Sequence, residues 1–302
     1  MQADDSVLAE IEAHAIKLAK GSGRILESQF GSVVDVQFKS EDRSDPVSKA
    51  DVESEEYLRN AIKKRFPDHG ILGEEGTCQE PGSSGFLWVL DPLDGTVNYL
   101  NGLPIYSVSV GVLHRGAPVV GCIWVPWPGR SQGSVYNARK GHGAFLNGTS
   151  ISVCKSSTPQ PGQLSIFHRE FRLMYHRNAG GKSPAGEGRG PGSLAYEMAL
   201  TANGVFQFAV FSAPRIWDVA AGVVLVQEGG GEALTFDRRR RRWEKLTRFS
   251  VSQGKAPDGT AELRNWVAPV MAGNGEMVNY LAGFMRPGWL RWFIRRFMGG
   301  RW

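Results

Sequence analysis

Cysteine is scarce in this 302-residue chain: Cys78, Cys122 and Cys154 are the three present, none in CxxC spacing, and an odd number cannot close into a complete disulfide frame. Free thiols in a reducing compartment are expected, with the cytoplasm as the default location. Histidine is nearly as sparse. His14, His69, His114, His142, His168 and His176 form no H-x-x-x-H pair, which argues against zinc held by clustered imidazoles. No uninterrupted apolar stretch reaches the roughly 18 residues that a membrane span needs, and the amino end, MQADDSVLAEIEAH, is acidic with no apolar signal core. A spanning or classically exported protein is therefore not expected. Internal repeats are absent too, and one low-complexity stretch, NAGGKSPAGEGRGPG (178–192), reads as a mobile loop.

What is present is core and turn. Hydrophobic residues make up 41% of the chain, enough to bury a large core, and 38 glycines are nearly twice the usual share of about 7%. Residues 237–302 carry 14 Lys/Arg against five Asp/Glu, so the net charge of +5 is a property of the carboxy-terminal part, and the remainder is slightly acidic. Leu8, Ile11, Ala15, Leu18 and Ile25 predict a helix over about 6–29, and Tyr57, Leu58, Ala61 and Ile62 the inward face of a second over 50–66. Strands are predicted at 33–38, 71–73, 86–90, 106–114, 118–125, 134–139 and 164–167. A further set is expected at 205–211, 232–236 and 266–271, with helices at 194–202, 217–227 and 276–284. Helices and strands mix throughout, which predicts a layered α/β (α+β) body. Two intimate lobes, 1–160 and 161–285, and a tail, 286–302, are expected.

The most informative stretch is WVLDPLDGT (88–96). A buried strand delivers Asp91 to a sheet edge, Pro92 fixes φ and offers no donor, and Asp94-Gly95-Thr96 opens a short helix. Such a turn can bind divalent metal through Asp91, Asp94 and the Leu93 carbonyl, and phosphate on the Gly95 and Thr96 amides. It can equally be an Asp-rich turn that caps a helix. Gly73-Glu74-Glu75-Gly76 places carboxylates directly after a strand, either as a solvated turn or beside a cation. Asp218, at the start of an apolar helix, reads as a dipole partner or as a metal ligand.

Taken together, GEEG (73–76), WVLDPLDGT (88–96), GSLAYEMALTANG (192–204) and WDVAAGVVLVQEGGGE (217–232), preceded by DPVSKAD (45–51), resemble the inositol monophosphatase family of magnesium-dependent, lithium-sensitive phosphatases. The resemblance covers roughly residues 5–282. It implies an αβαβα sandwich, a homodimer and two or three Mg2+ ions per active site. Glu74, Asp91 and the Leu93 carbonyl then correspond to ligands of a first ion, and Asp91, Asp94 and Asp218 to those of a second. Thr96 and Asp51 correspond to the pair that polarises the attacking water with Glu74, Gly95 and Thr96 to the phosphate cradle, and Gly192 and Ser193 to the lining of the alcohol half of the substrate. Two hard cations in a carboxylate cage suit phosphate monoester hydrolysis, whose uncatalysed rate leaves room for enhancements of up to ~10²¹.

The sequence also departs from that pattern. Where inositol phosphatases have a Glu that binds a substrate hydroxyl, this chain has Phe211, which cannot accept that bond, while Arg215 nearby could meet a polar or anionic group. Histidinol phosphate, a sugar bisphosphate or adenosine 3′,5′-bisphosphate are therefore alternative substrates. The run Arg238–Arg242 reads as a solvated hairpin rather than a nucleic-acid patch, because no aromatic-spaced motif accompanies it. The tail PGWLRWFIRRFMGGRW (287–302) is basic and amphipathic. It could lie on an anionic membrane as a peripheral contact, or dock on a partner subunit or on the body of the protein. A nucleic-acid- or membrane-associated regulatory protein is the alternative of another class.

Overall fold

The stripe beginning at Leu8 folds as α1 (Asp5–Gln29), whose first turn is capped by the Asp4 carboxylate, which accepts the Ser6 amide at 2.8 Å. In this computed structural model, which describes residues 3–32, 36–38, 46–76, 78–126, 133–167, 186–250 and 259–285, Leu8, Ile11, Ala15, Leu18 and Leu26 are buried. Leu26, rather than Ile25, continues the 3.6-residue period. A two-stranded ribbon, β1 (Val36–Phe38) with β2 (Pro46–Ser48), leads into α2 (Lys49–Arg65). Ser48 and Asp51 cap the start of α2 reciprocally, and Ala50, Leu58 and Ile62 are its buried apolar residues.

A seven-stranded sheet follows in chain order: β3 (Gly70–Gly73), β4 (Phe86–Asp94), β5 (Ser107–His114), β6 (Ala117–Val125), β7 (Ser134–Arg139), β8 (Ala144–Leu146) and β9 (Thr149–Ile151). β3 runs parallel to β4, and every other pair is antiparallel. Short α3 (Thr96–Leu100) leaves the end of β4. The second sheet contains β10 (Leu164–Phe167), β11 (Glu187–Arg189), β12 (Phe208–Phe211), β13 (Gly231–Asp237), β14 (Arg242–Lys245) and β15 (Val270–Asn274), in the order β11-β10-β12-β15-β13-β14.

α4 (Leu194–Ala202) and α5 (Ile216–Glu228) fill the space between the sheets. A single apolar cluster there joins Val89 and Ile123 of the first sheet, Val223 of α5 and Val270 of the second sheet. α1 and α2 cover the outer face of the first sheet, and α7 (Gly275–Phe284) covers that of the second through Met277, Val278 and Leu281. A short α6 (Thr260–Leu263) lies beside β3. The result is the layered α/β fold in five layers, αβαβα.

Several boundaries differ from the sequence pattern. β12 starts at Phe208, because the Val205 and Phe206 amides turn back onto Leu200 O at the end of α4. β15 starts at Val270, since Pro269 has no N–H for a ladder and instead accepts from the Phe236 amide and the Thr235 hydroxyl. β8, β9, β11 and α6, of three or four residues each, have no periodicity to reveal them. The Arg run forms the β13–β14 turn, where Asp237 accepts the Arg239 and Arg240 amides and Glu244 pairs with Arg240 and Arg242. Cys78, Cys122 and Cys154 are free. The expected strand at 33–38 is described only from Val36, and the expected loop at 178–192 only from Gly186, where β11 follows. The tail 286–302 lies outside the described residues. Among those described, no helix is long and apolar enough to cross a membrane.

Candidate active site

β4 is buried at every position, so its last residues bring carboxylates into the interior rather than to an open edge. Asp91 pairs with Ser109 and Asp94 with Ser107, three residues against two, and the extra residue is a bulge at Pro92-Leu93 that re-aims the strand. The Asp91 carboxylate accepts the Leu93 amide at 3.1 Å. Gly95, at φ +91°, then turns the chain into α3. A Cβ there would lie 3.0 Å from Ile105 O and from Ser193 Cβ, so conformation and space both require glycine.

α5 brings the third carboxylate. It sits unusually close to the sheet because Gly111 of β5 and Gly121 of β6 face its Ala220-Ala221 step: a Cβ at Gly121 would lie 2.2 Å from Ala221 O, and one at Gly111 2.9 Å from Ala220 Cβ. Gly222 faces Met198 of α4 in the same way. The Ser109 hydroxyl donates to Trp217 O at 3.0 Å, which fixes the start of the helix, and Asp218 accepts the Arg215 amide at 2.7 Å. Asp218 thus closes the first turn of α5, and its carboxylate also approaches those at the end of β4.

Asp91, Asp94 and Asp218 each offer an oxygen within 4.8 Å of the others. Burial pushes the Asp91 and Asp218 carboxyls well above the ordinary range. The neighbouring charges of Glu74, Asp94 and Asp218 add to the shift at Asp91, and those of Asp94 and Glu74 to the shift at Asp218. Asp94 is pushed up to about 6, chiefly by burial, with Ser193 and Ala195 hydrogen bonds opposing. No Lys or Arg forms an ion pair with any of the three among the described residues. Converging hard oxygen donors that repel one another are the donor set a divalent cation relieves, so these residues fit a magnesium-type ion.

Asp94 has a second job that the sequence did not reveal. Its Oδ2 accepts from Ser193 Oγ (2.5 Å), the Ala195 amide (2.7 Å) and Ser107 Oγ (3.1 Å), and its Oδ1 from the Leu194 amide (3.2 Å). It therefore caps α4 and ties that helix to β4. Ser193, expected along the substrate, is fully buried in this bond, and the Gly192 amide donates to Glu197 at 2.9 Å. Phe211 is 1% exposed within the central core, so its ring fills core volume, while Arg215 is exposed at the start of α5.

Thr96 and Asp51 meet as expected: Thr96 Oγ1 lies 3.3 Å from Asp51 Oδ1 and 3.0 Å from Leu93 O. Asp51 is itself oriented by the Ser48 amide at 2.8 Å and by the Ser48 hydroxyl. Glu74 follows β3, its amide donating to Leu90 O at 3.2 Å. Its loop is bolted from two sides by residues that carry no motif. Glu55 of α2 accepts the Glu75 amide at 2.8 Å and would meet a Cβ at Gly73 or Gly76 at 2.4 or 2.2 Å. Arg264, just after α6, donates to Gly73 O (2.9 Å), Glu74 O (2.7 Å) and Gly76 O (3.0 Å), and its guanidinium lies 5.8 Å from the Trp217 ring centroid. Glu55 stands one turn after Asp51 on the buried face of α2, a signal that the sequence contained; Arg264 had none.

The chain has relatives among known proteins. The inositol monophosphatase family pattern matches residues 7–266. A fructose-1,6-bisphosphatase/inositol-1-monophosphatase of Aquifex aeolicus is 32% identical over 70% of this chain and 81% of its own length. A histidinol-phosphatase of Chlorobaculum parvum is 32% identical over 87% of this chain and 96% of its own. Among solved structures, the extragenic suppressor protein suhB of Bartonella henselae superposes with a TM-score of 0.71 at 25% identity, covering 91% of this chain and 97% of that one. With the fold, the ordered motifs and the carboxylate cluster in agreement, the chain belongs to the inositol monophosphatase family and is a phosphoric monoester hydrolase.

Proposed function

We propose that the chain hydrolyses a small phosphate monoester of polyol or sugar type in a magnesium-dependent reaction centred on Asp91, Asp94 and Asp218. The observation that carries this reading is the convergence of those three carboxylates, Asp91 and Asp94 buried and Asp218 half-buried, within 4.8 Å. Glu74, Asp91 and the Leu93 carbonyl would hold one ion, and Asp91, Asp94 and Asp218 a second, with room for a third near Glu74 left open by the family resemblance. Bound there, the ions supply positive charge against the phosphate and acidity to a water molecule.

The remaining chemistry belongs to the chain. The single Thr96 proton can go to Asp51, which leaves the hydroxyl lone pairs to accept from the attacking water, with Asp51 as the base behind it. Glu74 orients the same water. The amides of Gly95 and Thr96 precede the first α3 hydrogen bond, Tyr99 N to Gly95 O, and so are left to hold phosphate oxygens. With Phe211 and Ser193 buried, Arg215 is the exposed group beside Asp218 that can select the alcohol half.

A hydroxyl bond to a charged group is worth roughly 1.5 to 3 kcal/mol, so inositol 1-phosphate, lacking a partner at Phe211, is not expected to be the best substrate. The histidinol-phosphatase relative spans more of this chain than the bisphosphatase relative does, which favours including histidinol phosphate in the panel. Phosphate release is to be measured from inositol 1-phosphate, fructose 1,6-bisphosphate, histidinol phosphate and adenosine 3′,5′-bisphosphate, with magnesium and with chelator. Release that persists in chelator would overturn the metal reading, and a win for inositol 1-phosphate the substrate argument. We further propose lithium inhibition, a cytoplasmic homodimer, lobes divided between β9 and β10 near residue 160, and a tail (287–302) that contacts anionic membrane. Co-sedimentation with and without the tail tests the last.

A further inference from the structure

A cavity of about 500 Å³ opens beside the β5–β6 turn, with His114, Arg115, Lys140 and Arg248 in its wall and the apolar Leu8 and Val119 beneath. It is separate from the carboxylates. Asp91 lies opposite Ser109, whereas Phe86 lies opposite His114, and five residues of extended strand put roughly 17 Å between the two ends. The cations come from three separate segments: the β5–β6 turn, the end of β7 and the stretch after β14. None of Arg115, Lys140 and Arg248 has a carboxylate partner among the described residues. Asp5, the one acidic residue in the wall, is already engaged by Arg139 and, at 2.6 Å, by His142 Nε2.

The corner is also built. Arg115 takes a left-handed backbone (φ +52°), its amide donates to Gly85 O at 2.8 Å, and its carbonyl accepts from the Arg248 guanidinium, so two of the cations are fastened to one another. Three like charges turned toward one space, with the local acid spoken for, form an electropositive well that an anion would neutralise. The volume exceeds what a single phosphate needs, and two guanidinium forks with an ammonium suit several phosphoryl oxygens. We infer that this cavity binds a small soluble molecule bearing two or more phosphate groups, at a site distinct from the catalytic cluster.

Pyrophosphate is a suitable probe, titrated calorimetrically in chelator, where the ion-free catalytic carboxylates repel it. One site is expected, weakening as salt rises. Lys140→Ala and Arg248→Ala should each weaken it about tenfold, Asp91→Asn should leave it unchanged, and Lys140→Ala should retain phosphatase activity. Vesicles containing phosphatidic acid form the second arm and should pellet wild type and Lys140→Ala alike. Absence of binding, affinity indifferent to both cavity substitutions, or loss in Asp91→Asn would overturn the inference. Lys140-dependent pelleting without pyrophosphate affinity would overturn it as well, by assigning the well to a lipid headgroup.

Discussion

Asp91 and Asp218 sit where burial and neighbouring carboxylates oppose ionisation, so replacing either by asparagine has two effects of opposite sign. Loss of ion placement should lower kcat by about 10² to 10⁴. Loss of a repelling charge should raise the stability of the ion-free protein by about 1 to 3 kcal/mol in urea unfolding with chelator. An active Asp91→Asn enzyme, or one destabilised in chelator, would contradict this account. A second residue-scale expectation concerns pH. His69 Nδ1 accepts the Trp88 indole at 3.1 Å, its ring stacks on Phe66 at 4.6 Å, and burial holds its pKa below the ordinary value, as it does for His14. Between the depressed folded value and about 6.5 the unfolded chain binds more protons, so stability is complete above that range and is lost as pH falls through it. The difference in unfolding free energy between wild type and His69→Gln should shrink as pH falls from about 7.5 to about 5.5, a comparison in which the opposite contribution of the raised Asp91, Asp94 and Asp218 carboxyls cancels.

Elements, rather than single side chains, set the distances in the site. Gly121→Ala would put a methyl against Ala221 O and lift α5 with Asp218, at a cost of about 1 to 3 kcal/mol and with a smaller magnesium-induced rise in Tm. Arg264→Ala frees the Glu74 loop from its three carbonyl bonds. The magnesium concentration for half-maximal activity should rise about tenfold, with Arg264→Lys only partly restoring it, because one ammonium cannot reproduce the planar fork. An unchanged magnesium requirement in Arg264→Ala would remove that role. The sequence was legible where periodicity or motif was long: α1, α2, β4 to β7 and the helix of Asp218 stand where their patterns put them. Asp91, Asp94 and Asp218 converge, and Thr96 meets Asp51, because local turns and helix starts, readable as D-P-x-D-G-T, W-D-x-A-A-G and DPVSKAD, deliver them. Illegible were partnerships across long sequence separations, such as Arg264 with the Glu74 loop or Ser193 with Asp94, since nothing in a local pattern specifies what a side chain meets after folding.

At the scale of the whole molecule, the central apolar cluster draws on both sheets and on α4 and α5 together. Calorimetry should accordingly give one cooperative transition, with calorimetric and van't Hoff enthalpies equal, and two separable transitions would contradict a shared core. The cushion of α4 and α5 has another consequence. Asp94 fastens α4 to β4, while Gly111 and Gly121 seat α5 against the same sheet, so the two sheets cannot part like a clamshell without tearing out the interior. Substrate and product must then pass over side chains and surface loops, and crystals grown without ligand should survive soaking in phosphate esters without cracking.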